Sequence, residues 1–204
     1  MVKNTVSMTA VIGSATPPGR LRRAVEEALE RAAAAGGVAV ETTLIDLAEV
    51  RIAPADGTPP ERLGDDTAAT VAAIAAADAV LLATPVYRGS FTGVLKNLLD
   101  HVPVEALQGT PVGIAAMGAT PHHFLGAESH LRDVLAFFGA LVAPVGVYLT
   151  SADFAGGAPS AHAAGDLDTL VAALAALARA TDGLTLGGAR PLPKRPKPSP
   201  APAG

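Results

Sequence analysis

The sequence predicts an α/β fold in which a five-stranded parallel sheet of strand order 2-1-3-4-5 lies between two layers of helices. Short apolar segments alternate with segments of helical periodicity along most of the 204 residues. The stretches between apolar segments are long enough for the crossover connections that parallel strands need. The third apolar segment, Asp78–Ala83, has no polar alternation, as expected of a strand that is buried on both faces.

Each of the five strands is predicted from an apolar or β-branched run that is bounded by turn-forming residues. Thr84-Pro85 is expected to end the third strand, because Pro85 has no N–H to donate and holds Thr84 extended. Pro144, within the fifth strand, favours an edge position in the sheet. The predicted strands are Val6–Ile12, Val38–Ile45, Asp78–Ala83, Pro111–Ala116 and Ala140–Tyr148.

Five helices are predicted from apolar residues that recur every three to four positions. Gly36-Gly37 is expected to stop the first helix, and Asp66 and Asp166 to cap the second and the fifth. The segment 150–165, rich in Gly, Ala, Ser and Pro, is predicted to be a loop. The predicted helices are 20–35, 67–77, 91–101, 123–138 and 167–180. This succession is typical of a flavodoxin-like three-layer sandwich, whose ligand site lies at the switch point between strands 1 and 3.

The composition excludes several classes of site and partner. There is no cysteine, so disulfides, thiolate catalysis and cysteine-bound zinc or iron–sulfur centres are ruled out. The formal net charge of −4 argues against nucleic acid, since its partners usually carry a basic face. We expect a cytoplasmic protein without a membrane partner, because no long apolar run and no secretory signal is found. Residues 1–186 are expected to form one domain, and the Pro-rich basic segment 187–204 a disordered tail.

The loop after the first strand has the properties of a phosphate-binding site. Gly13–Arg20 leads into a helix N-terminus, where free N–H groups and the helix dipole favour an anion. Ser14 and Thr16 add hydroxyls, Gly19 leaves the backbone open, and Arg20 can form a charge-assisted hydrogen bond. The loop matches neither a P-loop nor a dinucleotide-binding Gly-x-Gly-x-x-Gly.

Two further loops should meet this one at the carboxyl edge of the sheet. The first, Thr84–Ser90, offers backbone amides and the Tyr87 ring. The second, 117–120, has small residues that allow close approach to its amides. An anion site beside flat, amide-rich loops suits a phosphate ester that carries a planar heterocycle. FMN fits better than a sugar phosphate, because nothing here supplies a base or a metal; His122-His123 lacks a paired carboxylate, so no metal is expected.

The motifs at these loops carry a family resemblance. Gly13-Ser14 after the first strand, the run Thr84–Asp100 with its Thr-Pro-Val-Tyr and Gly-Val-Leu-Lys-Asn-Leu-Leu-Asp segments, and the runs Ala106–Gly109 and Gly118–Leu125 resemble the NAD(P)H-dependent FMN reductase family. The similarity is greatest to the branch that serves alkanesulfonate monooxygenases. It implies a flavodoxin-like fold and hydride transfer from NADPH or NADH to flavin N5, with FMN released in reduced form to a partner monooxygenase. A homodimer or homotetramer is the family expectation.

The resemblance also assigns site residues, and no protein acid or base is among them because the cofactors carry the chemistry. Ser14 and Arg20 would hold the phosphate. Gly118 and Ala119 would flank one side of the isoalloxazine. The other side would be lined by Pro85, Val86, Tyr87 and Ser90.

Two departures from the family pattern are visible. Its phosphate loops carry more hydroxyls where this chain has Gly19, Leu21 and Arg22, so phosphate binding here would depend on backbone amides and Arg20. Relatives also carry an inserted Tyr or His that bulges the fourth helix at a tetramer interface, a place that His130 could take here. A plain surface or interface histidine explains His130 equally well.

Other readings of the same scaffold remain open at this point. One is a quinone, azo-dye or metal-ion reductase that retains FMN as a prosthetic group. Another is a flavodoxin-type electron carrier without nicotinamide activity, although such carriers usually have a strongly acidic face and aromatic residues around the flavin. This chain has only 2 Tyr and no Trp.

Overall fold

The computed structural model describes residues 4–16, 19–35 and 39–186, so the predicted tail 187–204 and the helix stop at Gly36-Gly37 lie outside it. Its main sheet has the order β2-β1-β3-β4-β5, all parallel, with β6 also paired to β4. This confirms the flavodoxin-like fold. The strands are β1 (Thr5–Ile12), β2 (Ala39–Asp46), β3 (Ala79–Pro85), β4 (Pro111–Met117), β5 (Leu141–Val142), β6 (Val147–Leu149), and the small hairpin β7 (Phe154–Ala155) and β8 (Ala158–Pro159).

The five predicted helices are present, and short 3-10 turns lie in several of the segments that connect helices and strands. They are α1 (Arg20–Ala34), α2 (Thr67–Ala75), α3 (Gly93–His101), α4 (Phe124–Phe138) and α5 (Ala161–Thr181). The 3-10 turns are Pro60–Arg62, Val104–Leu107, Pro121–His123 and Ser151–Asp153.

Helices cover both faces of the sheet, and successive side chains of its central strands pack alternately against one helical layer and the other. In β3, Leu81 packs with α1 and α5, whereas Val80 and Leu82 pack with α2, α3 and α4 on the opposite face. All three side chains have no exposed surface. The absence of polar alternation in this strand therefore correctly predicted burial on both sides.

The predicted fifth strand is broken into β5 and β6. Both segments pair with β4, which confirms the edge position, but residues 143–146 between them belong to neither strand, although Ala143 N still donates to Val112 O (2.8 Å). Pro144 has no N–H to donate there. Two side chains of α4 hydrogen-bond the backbone of the segment between β5 and β6. Arg132 Nη2 donates to Ala143 O (2.7 Å) and Pro144 O (3.1 Å), and Glu128 Oε1 accepts from Gly146 N (3.3 Å).

Of the two predicted acidic caps, Asp66 occupies the N-cap position of α2 as predicted, but its side chain makes no capping hydrogen bond. The Asp66 carboxylate accepts from Arg51 N instead, and Asp65 Oδ1 accepts from Thr67 N (3.0 Å) at the start of α2. The prediction for Asp166 is wrong. The last helix begins six residues before its predicted start, at Ala161, where Ser160 Oγ accepts from Ala163 N (3.2 Å). The weak periodicity of the small residues that follow Ser160 hid this first turn, and it places Asp166 inside the helix.

Three further predicted boundaries move by a few residues. β3 continues through Thr84 and Pro85, because a residue that precedes proline is held extended. α3 begins at Gly93 rather than at residue 91, since Thr92 Oγ1 accepts from Leu95 N as its N-cap. The segment predicted as a loop, 150–165, contains a 3-10 turn, the β7–β8 hairpin and the start of α5.

α5 has the length and apolar composition of a membrane-crossing helix, alone among the helices within residues 4–16, 19–35 and 39–186. Its Leu167, Val171 and Leu174 are, however, fully buried against α1 and the sheet. We therefore describe it as a core helix of this fold.

Candidate functional site

The loops that follow β1 and β3 are held together by two buried threonines. Thr92 Oγ1 donates to Gly13 O (2.6 Å), and Thr84 Oγ1 accepts from Thr92 N (3.2 Å). Both threonine side chains are almost fully buried. Gly13 N donates to Ala83 O (2.7 Å), and a Cβ at Gly13 would lie 2.9 Å from Leu95 Cβ. These contacts fix the two loops relative to each other, so they form one continuous wall.

The tip of the second loop is a tight two-residue turn. Tyr87 N donates to Ser90 O (2.9 Å) and Ser90 N donates to Tyr87 O (3.1 Å). The central residues Arg88 and Gly89 both have positive φ, 54° and 75°, as a type I′ turn requires. The turn leaves Tyr87 53% exposed at the carboxyl edge of the sheet.

The third loop is closely packed against an aromatic side chain. Tyr148 Oη donates to Thr120 O (2.7 Å). A Cβ added to Gly118 would lie only 1.9 Å from Tyr148 Oη. Burial raises the pKa of Tyr148 further above the neutral range, which favours the protonated hydroxyl that donates this hydrogen bond. Gly118 N in turn donates to Leu149 O (2.9 Å). A glycine is therefore required at position 118 by close approach.

The three loops enclose a cleft of about 600 Å³ at the carboxyl edge of the sheet. This volume lies within the range of small-molecule sites, roughly 300–1,000 Å³. Nine of the ten residues predicted for the site line this cleft, in three groups: Ser14, Thr16, Gly19 and Arg20; Pro85, Val86 and Tyr87; Gly118 and Ala119. Ser90 is the exception, and its Oγ lies 3.0 Å from His130 Nδ1 on α4.

One end of the cleft carries hydroxyls and an open helix N-terminus. Ser14 Oγ accepts from Thr16 N (3.3 Å) and lies 3.0 Å from Thr16 Oγ1. Gly19 is the N-cap of α1, and neither a capping side chain nor an acidic residue in the first turn occupies this described end of the helix. Its N–H groups and dipole are therefore available to an anion.

The two arginines at this end differ in their surroundings. Arg22 donates to Asp46 Oδ2 (3.1 Å) and to the Glu49 carboxylate, and the hydrogen bond to Glu49 raises the pKa of Arg22. Arg20 instead contacts neutral groups, with Nη2 3.3 Å from Ser151 Oγ and Cζ 5.3 Å from the centroid of the Phe154 ring. Arg20 thus has the charge that an incoming anion can use, whereas the charge of Arg22 is already compensated.

Six residues that line the cleft were not predicted from the sequence: Ile12, Leu21, Arg22, Asp46, Met117 and Ser151. Asp46 carried a usable signal, because it comes directly after the carboxyl end of the predicted second strand. The structure shows no bulge in α4, which is a regular α-helix through His130. No group of three potential metal ligands occurs in the described ranges 4–16, 19–35 and 39–186.

Comparison with known proteins places these features in a family. The family model described as NADPH-dependent FMN reductase matches residues 6–155. The chain is 39% identical over 120 residues to the NADH-dependent FMN reductase SfnF of Pseudomonas fluorescens, a match that covers 59% of this chain and 64% of that relative. The chain thus spans slightly less than two thirds of that relative's length.

Two more comparisons extend over a larger share of both chains. The NADH-dependent FMN reductase SfnF of Pseudomonas putida is 33% identical over 153 residues, which cover 72% of this chain and 79% of the relative. A solved structure of an NADH:FMN oxidoreductase in its apo form is 25% identical with a TM-score of 0.70, covering 83% of this chain and 88% of its own. The match of the family model to most of the chain, on a sheet that positions its motifs at one cleft, shows that the protein belongs to the NADPH-dependent FMN reductase family.

Proposed function

We propose that this protein is an NAD(P)H-dependent FMN reductase whose flavin site is the cleft at the carboxyl edge of the sheet. The observation that carries the proposal is that the uncapped N-terminus of α1 and two amide-rich loops line the same cleft, which has a volume of about 600 Å³. The FMN reductase relatives support the same activity. The residues that line the cleft fit FMN, since they offer a phosphate end and flat, small-residue walls.

The phosphate of FMN would bind at the N-terminus of α1. The N–H groups of the first helical turn, the hydroxyls of Ser14 and Thr16, and the guanidinium of Arg20 are donors suited to a phosphate dianion. Ser14 and Thr16 already hydrogen-bond each other, so their side chains are arranged before a ligand arrives.

The isoalloxazine would lie along the other two loops. Pro85, Val86 and Tyr87 form one boundary, and the close packing of Gly118 against Tyr148 brings the backbone of Gly118 and Ala119 near on the other. We assign Ser90 to support of the Tyr87 turn, because its side chain contacts His130. When bound, FMN and the nicotinamide supply the redox chemistry, hydride transfer from nicotinamide C4 to flavin N5, and the protein binds and orients them.

The exposure of the phosphate end favours FMN as an exchanging substrate. Thr16, Gly19 and Arg20 are all exposed at the mouth of the cleft. A phosphate site open to water permits release of reduced FMN, so we extend the proposal to supply of a partner flavin-dependent monooxygenase in the cytoplasm. A homodimer or homotetramer remains part of the proposal through the family.

A single assay separates this proposal from its alternatives. The purified protein is examined for a yellow colour, and oxidation of NADPH and NADH is followed with and without added FMN. We expect turnover that requires free FMN. A yellow protein that reduces quinones without added FMN would indicate a reductase with a retained flavin, and the absence of oxidation under every condition would refute both.

A further inference from the structure

A segment between β6 and α5 reaches across the molecule to the N-terminus of α1. We call residues 150–160 the strap. Its first turn is held by a capping box, in which Asp153 Oδ2 accepts from Thr150 N (2.7 Å) and Oγ1 (2.9 Å), and Thr150 Oγ1 accepts from Ala152 N (3.3 Å). The β7–β8 hairpin follows, and Ser160 N donates to Asp153 O (2.7 Å). The strap is therefore an ordered element with a defined path.

The strap is bound to α1 by two arginines of the first helical turn. Arg20 Nη2 donates to Ser151 Oγ (3.3 Å), and its guanidinium lies over the Phe154 ring. Arg23 Nη1 donates to Gly157 O (3.4 Å). The Phe154 side chain is half-buried against the core between α1, α5 and the sheet, so its ring provides a fixed surface for Arg20.

On the basis of the proposed flavin site, we infer that the strap completes the phosphate end: Ser151 binds a phosphate oxygen of FMN, and Phe154 is a positioning residue that holds the Arg20 guanidinium toward it. Ser151 lines the cleft and is exposed to it. Its oxygen accepts from Arg20, which leaves its own proton for an acceptor in the cleft.

The physical role of the strap is to prearrange a flexible side chain. An unconstrained arginine side chain loses rotamer freedom when a ligand fixes it, and contacts made before binding reduce that entropic cost. The two contacts of Arg20 come from neutral groups, so they orient the guanidinium without compensating its charge. The predicted consequence is selectivity for flavins that carry a phosphate monoester over riboflavin, which lacks the phosphate.

The experiment measures dissociation constants of FMN and riboflavin from quenching of flavin fluorescence. We expect Ser151→Ala to weaken FMN binding about three- to tenfold and Phe154→Leu about two- to fivefold, with riboflavin binding unchanged in both. Ser151→Thr retains the hydroxyl and Phe154→Tyr retains the ring, so both should bind FMN within about twofold of the wild type. In an Arg20→Ala background, Phe154→Leu should have no further effect on the ratio of the two constants.

The outcomes separate this inference from the function on which it rests. A wild-type protein that binds neither flavin overturns both. FMN binding that Ser151→Ala leaves unchanged overturns the assignment of Ser151, whose exposed side chain can be changed without a folding defect. Equal loss of FMN and riboflavin in Phe154→Leu, or the same loss when Arg20 is absent, means that Phe154 is merely structural and overturns its positioning role.

Discussion

The substitution Gly118→Ala tests whether the third wall of the cleft depends on close approach. The backbone at Gly118 is not in the left-handed region, so alanine meets no conformational penalty there. The added Cβ would lie 1.9 Å from Tyr148 Oη, and the hydroxyl would have to retreat by more than 1 Å to reach a distance of 3.0 Å. Its hydrogen bond to Thr120 O would be lost.

The expected loss of stability follows from these two effects. Overpacking costs about 1–3 kcal/mol and a lost hydrogen bond about 1 kcal/mol, so the free energy of unfolding should fall by about 2–4 kcal/mol. For a chain of this size, that corresponds to a Tm lower by roughly 5–15 °C in calorimetry or circular dichroism. The dissociation constant of FMN should rise as well, because the displaced loop lines the cleft.

A double-mutant cycle with Tyr148→Phe identifies the cause. Without the hydroxyl, the nearest side-chain atom to the new Cβ is Tyr148 Cζ at 2.9 Å, so the clash is reduced but not removed. Gly118→Ala should therefore cost less in the Tyr148→Phe background than in the wild type. Gly93→Ala, with no atom near its added Cβ, is the matched control and should change stability by less than about 0.5 kcal/mol. Additive effects at Gly118 and Tyr148 would refute the reasoning.

The remaining predictions concern the other walls of the cleft and one helix cap. Arg20→Ala should raise the KM for FMN about tenfold and weaken the salt dependence of binding, whereas Arg20→Lys should lose less; an unchanged KM in Arg20→Ala would remove the phosphate assignment. Thr92→Val should lower the unfolding free energy by about 1–3 kcal/mol, because Gly13 O and Leu95 N lose their buried partner, while Thr92→Ser should be close to wild type in urea titrations. Arg88→Asn should raise the Tm, since asparagine tolerates φ 54° better than arginine; a lower Tm would contradict strain in the turn. Hydrogen bonds from Thr67 lower the pKa of Asp65 in the folded protein. The ionised Asp65 carboxylate therefore stabilises the fold above the pKa of Asp65 in the unfolded chain, and this stabilisation is lost as the pH falls through its pKa in the folded protein. The difference in unfolding free energy between the wild type and Asp65→Ala should accordingly shrink in acid titrations.

The fold could be predicted because its determinants are local. Apolar runs such as the one in β3 and the helical periodicity of α1 are visible in short windows, and the crossover rule then orders the strands. The break between β5 and β6 could not be predicted in the same way. It depends on Arg132 of α4 binding carbonyl groups at residues 143 and 144, a contact that no local pattern encodes.

The position of most of the cleft could also be predicted, since parallel strands bring their following loops to one edge. Ser90 does not line the cleft, because the type I′ turn reverses the chain after Tyr87 and directs the Ser90 side chain toward His130. Ser151 was missed for a different reason. Its segment has the composition of an ordinary loop, and only the packed molecule shows that it reaches Arg20, 131 positions away in the sequence.

That separation has a consequence for how the protein is made. During synthesis the chain emerges from its N-terminus, so β1, α1 and β2 can assemble long before the strap exists. The Arg20–Ser151 and Arg20–Phe154 contacts form only after roughly three quarters of the 204 residues have been translated, and they close a loop of high entropic cost. A nascent chain therefore has its phosphate loop but no strap to orient Arg20. FMN should then bind an incomplete chain that ends before the strap several-fold more weakly than it binds the full chain.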